Sequence, residues 1–199
     1  MTDKDNTVNI KHRKSRYHHG DLRIALIEEG LAEIAVKSPE DISLREIARR
    51  AGVSATAVYR HFPDKAALLG ALCEVGGERL NAAFEEAMSH TPGGRAAFSA
   101  MGRAYVRFAL ANPSLFRMMM THPASFSAGE SGPPLWEARL RMVSQALDRL
   151  LPKGASEDLR RIRQLQAWSM VHGLAMLMLD GQVPADETVI DQVVEASFV

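Results

Sequence analysis

The sequence predicts an all-α protein, with a three-helix N-terminal unit followed by a larger helical domain. Three observations carry this. No segment alternates apolar and polar residues with the period of two that a half-buried strand requires. Apolar residues recur instead at spacings of three and four from residue 24 onward. The breaks between these runs carry helix punctuation: Ser43, Ser54 and Asp64 as caps, Gly52 as a stop, and the HTPGG stretch His90–Gly94. With 46% hydrophobic residues in 199, the chain can bury a sizeable core. Ten methionines beside only 6% aromatic residues suit a helical interior with adaptable filling.

In chain order, residues 1–16 contain Lys11, His12, Arg13, Lys14 and Arg16 with almost nothing to bury, which predicts a disordered basic arm. In the YHHGDLR stretch Asp21 is a helix cap, and Ile24, Ile27, Leu31, Ile34 and Ala35 make the stripe of the first helix. Ser38 to Ile42, with Pro39, is a turn. Ser43 and Glu46 form a capping box that opens a second helix at Leu44. Its apolar stripe is Leu44, Ile47, Ala48 and Ala51, and Arg45, Arg49 and Arg50 stay outside. Gly52 supplies the left-handed stop and Val53 anchors the turn. Ser54 then caps a third helix of about eight residues in which Val58 and Phe62 point inward, before Pro63 closes it.

Asp64 caps a long helix running to about Met88, with Leu69, Leu72, Gly76, Leu80, Ala83, Phe84 and Ala87 near one face. It spans both halves of the chain and serves as their mechanical link; the boundary between an N-terminal unit of residues 17–75 and a C-terminal domain of residues 76–199 falls inside it. Ala96 to Leu110 is amphipathic, Asn112 and Pro113 open the next helix, and Ala124 to Pro134 is a flexible loop. Further helices are expected over Leu135–Leu151, Ser156–Leu179 and Asp186–Ala196. From Ala167 to Leu179 the penultimate helix is apolar nearly all round, so it must be covered on several sides, by its own core and by a partner subunit.

Residues Ser43 to Lys65, SLREIARRAGVSATAVYRHFPDK, carry the chemistry. Two short helices around a glycine turn are a helix-turn-helix, and the second is too short to be stable alone. It begins with the small residues Ser54, Ala55 and Ala57, which let a helix sit deep in the DNA major groove. Lys65, at the positive end of the next helix, is a natural seat for phosphate. The net charge of zero does not oppose this, because residues 11–65 hold eleven Lys or Arg against eight Asp or Glu.

From about Tyr17 to Leu72 the chain resembles the N-terminal domain of the TetR (tetracycline repressor) family of transcriptional regulators, on the strength of IAVK, LREIARRAGVS and YRHFPDKAALL. The resemblance implies that Arg45, Ser54, Thr56, Tyr59, His61 and Lys65 lie at DNA, mostly on phosphates. It also implies that Ala55 and Arg60 occupy base-reading positions. Trp168 to Gly173, WSMVHG, resembles the WHG-type C-terminal domain of these regulators. That implies a homodimer through the helices of residues 156–196 and a small-molecule effector bound among the C-terminal helices. Met101, Tyr105, Phe108, Phe116, Met119, Trp136, Met142, Trp168, His172 and Met176 are of the types that line an apolar cavity; ordinary core is the other reading.

No phosphate-cradling glycine loop, CxxC pair or HExxH pair is present, so neither an enzyme nor a metal site is expected, and no cofactor. A single cysteine, Cys73, excludes an intramolecular disulfide. No apolar run reaches membrane-spanning length and the first 16 residues lack the apolar centre of a secretory signal. A cytoplasmic protein is therefore expected, and the resemblance implies a ligand-responsive repressor acting on a palindromic operator. The alternatives are a ligand-independent DNA-binding autoregulator and a helical scaffold that has lost DNA binding. Residues 1–16 are then either a solvated tail or an arm lying on phosphate or in the minor groove.

Overall fold

The computed structural model describes residues 19–121 and 143–196. The basic arm, the loop 124–134, the first part of the helix expected over 135–151, and Trp136 and Met142 lie outside the described residues. Within them every regular element is helical: α1 (His19–Ile34), a 3-10 turn (Pro39–Asp41), α2 (Leu44–Arg50), α3 (Ala55–Tyr59), α4 (Lys65–Ser89), α5 (Gly94–Ala111), α6 (Pro113–Thr121), α7 (143–148), α8 (Glu157–Leu179) and α9 (Glu187–Ala196).

Most of the punctuation works as the residue types dictate. Ser54 Oγ accepts from the Ala57 amide at 3.2 Å, Asp64 from Ala67 at 2.8 Å, and Ser156 from Leu159 at 3.2 Å. Each takes up a backbone donor that the first helical turn cannot satisfy itself. Gly52 has φ 68°, and beyond it the Val53 amide returns to the Ala48 carbonyl at 2.9 Å, closing α2.

Five local expectations are corrected. Helix α1 begins at His19, so Asp21 falls within its first turn and does not cap it. Ile24 is 58% exposed; the buried face of α1 is Leu26, Ile27, Gly30, Glu33 and Ile34. Ser43 is the N-cap residue of α2 but its hydroxyl makes no cap bond, and the Glu46 carboxylate expected to reach back to the Ser43 amide is held by Arg49 at 2.9 Å. Helix α3 is five residues long, and the chain after Tyr59 is a turn in which the Phe62 amide still reaches the Val58 carbonyl at 2.9 Å. Asn112 turns its side-chain amide back onto the Phe108 carbonyl at 3.0 Å, finishing α5 where a cap for α6 was expected.

The core is continuous from head to body. Ile47, Val58 and Leu68 are fully buried with Leu26, Ile34 and Phe62, and through Leu72 and Leu80 of α4 this cluster runs on to Met101, Phe116, Met119 and Ala175. Helices α2 and α3 are too short to persist by themselves, so burial against α1 and α4 is what shapes the head. Gly76 lets α4 approach α6: a Cβ there would stand 2.5 Å from Met119 Sδ and 3.2 Å from Leu115 Cδ1. Gly102 does the same for α5, with Val194 and Val171 at 3.2 and 3.4 Å from the position of a Cβ. Cys73 lies in α4 at 1% exposure.

Helix α8 is divided lengthwise. Val171, Leu174, Ala175 and Met178 are buried against the body, whereas Ile162, Leu165, Trp168 and Leu177 are between 41% and 57% exposed. Helix α9 packs on α5 through Ile190 and Val194, reinforced by Arg107 with Glu187 and by Arg103 with Asp191 and Glu195. No described helix is long and apolar enough to cross a membrane.

Candidate DNA-reading site

The head presents α3 with its one buried side chain, Val58, turned inward. Thr56, Tyr59 and Arg60 are exposed on the other side, and Ala55 and His61 are half-buried beside them. Ser54 is exposed at the N-terminus of α3, where its hydroxyl is already used as the cap. Tyr59 is one of the large apolar side chains left at the surface, 46% exposed. The structure thus brings Ser54, Ala55, Thr56, Tyr59, Arg60 and His61 into one strip, with Arg45 exposed on α2. Lys65 opens α4, and its ammonium donates to the Glu40 carbonyl of the 3-10 turn.

The three arginines of α2 have separate fates. Among the described residues Arg45 has no ion-pair partner. Arg49 holds Glu46 on the same helix, and this hydrogen bond sets the Glu46 carboxyl below its ordinary pKa. Arg50 reaches back to α1, donating to Glu29 and to Glu33 at 2.7 Å each. Two features of the head escaped sequence reasoning. The Arg23 guanidinium lies 5.3 Å above the Phe62 ring, and the Glu29–Arg50–Glu33 contacts join residues 17 and 21 positions apart. The Glu33–Lys37 pair, at i,i+4, and the Glu46–Arg49 pair, at i,i+3, by contrast have local spacings.

A second constellation sits in the body. The Tyr105 hydroxyl is 3.0 Å from His172 Nδ1, accepts from Trp168 Nε1–H at 3.3 Å, and lies 3.8 Å from the Met120 sulfur. Phe116 meets the Tyr105 ring edge-on at 5.4 Å, and its own ring is 5.8 Å from His172. Burial pushes the His172 pKa below the usual 6.5, which keeps the imidazole neutral. Of the ten apolar-cavity candidates, Tyr105, Phe116, Trp168 and His172 therefore meet. Met101, Phe108 and Met119 are buried in the core, Met119 against Gly76, and Met176 is half-buried. Phe84, stacked on Tyr105 at 6.5 Å, and Met120 belong to the same cluster and were not among the candidates. Among the described residues no three His, Cys, Asp or Glu side chains are grouped to hold a metal.

A helix-turn-helix head carried on an all-helical body by a shared long helix defines a DNA-binding transcription regulator. Residues 26–72 match the family of bacterial regulatory proteins of the tetR type, and residues 98–198 match the tetracyclin repressor-like C-terminal domain. The chain belongs to the TetR family of transcriptional regulators. Among solved structures it is similar to a protein with unknown function from Rhodococcus sp. RHA1, at 34% identity and a TM-score of 0.75 over 93% of this chain and 95% of that one. A tetR-family transcriptional regulator from Streptomyces coelicolor shares 25% identity, with a TM-score of 0.65, over 89% of this chain and 79% of that one. The fold alone is shared with a TetR family regulator from Marinobacter aquaeolei VT8, at 20% identity and a TM-score of 0.65 over 89% and 93% of the two chains.

Proposed function

We propose that this regulator is a cytoplasmic homodimeric repressor that reads a palindromic operator through residues 43–65 and releases it when a small molecule binds among the C-terminal helices. In this reading residues 17–75 form the DNA-binding unit and residues 76–199 the effector and dimerisation domain. Arg45, Ser54, Thr56, Tyr59, His61 and Lys65 bind mainly phosphate, and Ala55 and Arg60 face bases.

The observation that carries the reading is the outer face of α8. Ile162, Leu165, Gln166, Ser169 and Met170 line an open groove, and a Cβ added at Gly173 would meet nothing. A helix with one apolar face in the core and a second facing water is short of a partner. A second copy related by a twofold axis supplies one and also gives two reading heads, suited to half-sites roughly 34–36 Å apart. The effector reading is supported by the Tyr105, Trp168 and His172 polar groups, which converge within aromatic walls.

Leu165→Asp tests the dimer. Sedimentation is expected to show a monomer where the wild-type chain is a dimer, and operator affinity is expected to collapse with it. A variant that stays dimeric and binds normally rules out this face. Thermal shift against a metabolite panel tests the effector, since a ligand preferring the folded state raises the midpoint. No shift with any compound favours the ligand-independent autoregulator.

A further inference from the structure

Arg50 is the last residue of α2, two positions before the Gly52 turn and four before the Ser54 cap of α3. Its Nε donates to Glu29 Oε2 and its Nη1 to Glu33 Oε1, both at 2.7 Å. The two carboxylates stand one turn apart on α1, so the planar guanidinium is held at two points along the axis of that helix. This fixes the direction of the α2 terminus as well as its distance. Glu33 is 1% exposed and its second oxygen is occupied by Lys37, so the buried carboxylate is fully engaged only when Arg50 is in place. The hydrogen bond to Glu29 raises the Arg50 pKa further above its already high ordinary value.

Ile47, Ala48 and Val58 are buried in the same apolar core as Leu26, Ile27 and Ile34 of α1. Burial of that kind is strong but not directional, whereas a charged fork is directional. Seven residues of α2 and five of α3 cannot keep their own bearing, so a directional contact to α1 matters to how α3 is held.

We propose that Arg50 is a positioning residue for DNA reading, one that sets the angle of α3 through Glu29 and Glu33 and does not itself touch phosphate. This rests on the head being the DNA reader. The assay uses the full chain, an operator recovered by selection from random DNA, a scrambled duplex of equal length, and anisotropy between 50 and 200 mM salt. Glu29→Gln removes a negative charge from the head, which by electrostatics alone tightens binding to any DNA. Positioning predicts the opposite for the operator: about tenfold weaker binding, the scale of one charge-assisted hydrogen bond, with no weakening on the scrambled duplex. Arg50→Met is expected to show the same loss of preference with the wild-type salt slope. Operator binding by Glu29→Gln as tight as wild type overturns the proposal, as does a salt slope reduced in Arg50→Met by about 0.9 for each head on the DNA, which marks a lost phosphate contact. A wild-type chain that prefers no recovered sequence overturns the reading of the head itself.

Discussion

Gly76→Ala tests how closely the link between head and body is packed. The new Cβ would lie 2.5 Å from Met119 Sδ and 3.2 Å from both Met119 Cγ and Leu115 Cδ1. Met119 and Leu115 are 1% and 5% exposed, so the thioether has to shift within the core and not out into solvent. Overpacking of this kind costs about 1–3 kcal/mol, while alanine in place of glycine returns about 1 kcal/mol of helix propensity. The net is a loss of up to ~2 kcal/mol, and at roughly 2–4 °C per kcal/mol the thermal midpoint falls by up to about 8 °C. Met119→Ala alone leaves a cavity and costs about 2–5 kcal/mol. In the double variant the added methyl occupies part of that cavity, so the two losses combine to less than their sum, with a coupling of at least about 1 kcal/mol. Denaturant titrations of the four proteins at one fixed concentration measure this directly. Additive losses, or a Gly76→Ala variant stabilised by the full propensity gain, would show that α4 and α6 are not in tight contact at Gly76.

Two further outcomes are expected. Lys65→Ala removes one phosphate contact from each of the two heads of a dimer, so it should lower the salt slope of DNA binding by about 1.8, which amounts to roughly sixtyfold weaker binding at 0.1 M salt and roughly eighteenfold at 0.2 M; a loss independent of salt would assign Lys65 to holding the Glu40 carbonyl instead. His172 has a folded pKa below its unfolded value of 6.5, so the unfolded state takes up a proton first on acidification. Its contribution is intact above pH 6.5 and is lost as pH falls through and below that value, so urea midpoints at pH 7.5 and 5.5 should differ more for wild type than for His172→Gln; identical differences would assign the pH dependence to other groups.

The helices were legible because their signals are local. Ser54, Asp64 and Gly52 each act on backbone groups within a few residues, and the cap bonds and the positive φ follow from residue type. The Glu46 half of the expected capping box failed for an equally local reason, in that Arg49, three residues beyond Glu46, takes the carboxylate. Ile24 failed because apolar spacing alone cannot choose between neighbouring faces of a helix, and Glu33, which periodicity assigns to solvent, is the residue that goes inside. That choice depends on Arg50, 17 residues away, and no periodicity records it. In the body, residue types suggested ten cavity candidates but not their grouping. The bond from Tyr105 to His172 spans 67 positions and exists only because α5 and α8 pack together.

Cys73 is the one sulfhydryl in the chain and lies on α4 with 1% of its surface exposed. A thiol reagent reaches it only when α4 parts from its neighbours, so the rate of labelling under native conditions counts those openings. The molecule therefore carries a built-in clock on its longest described helix, readable without introducing any new cysteine.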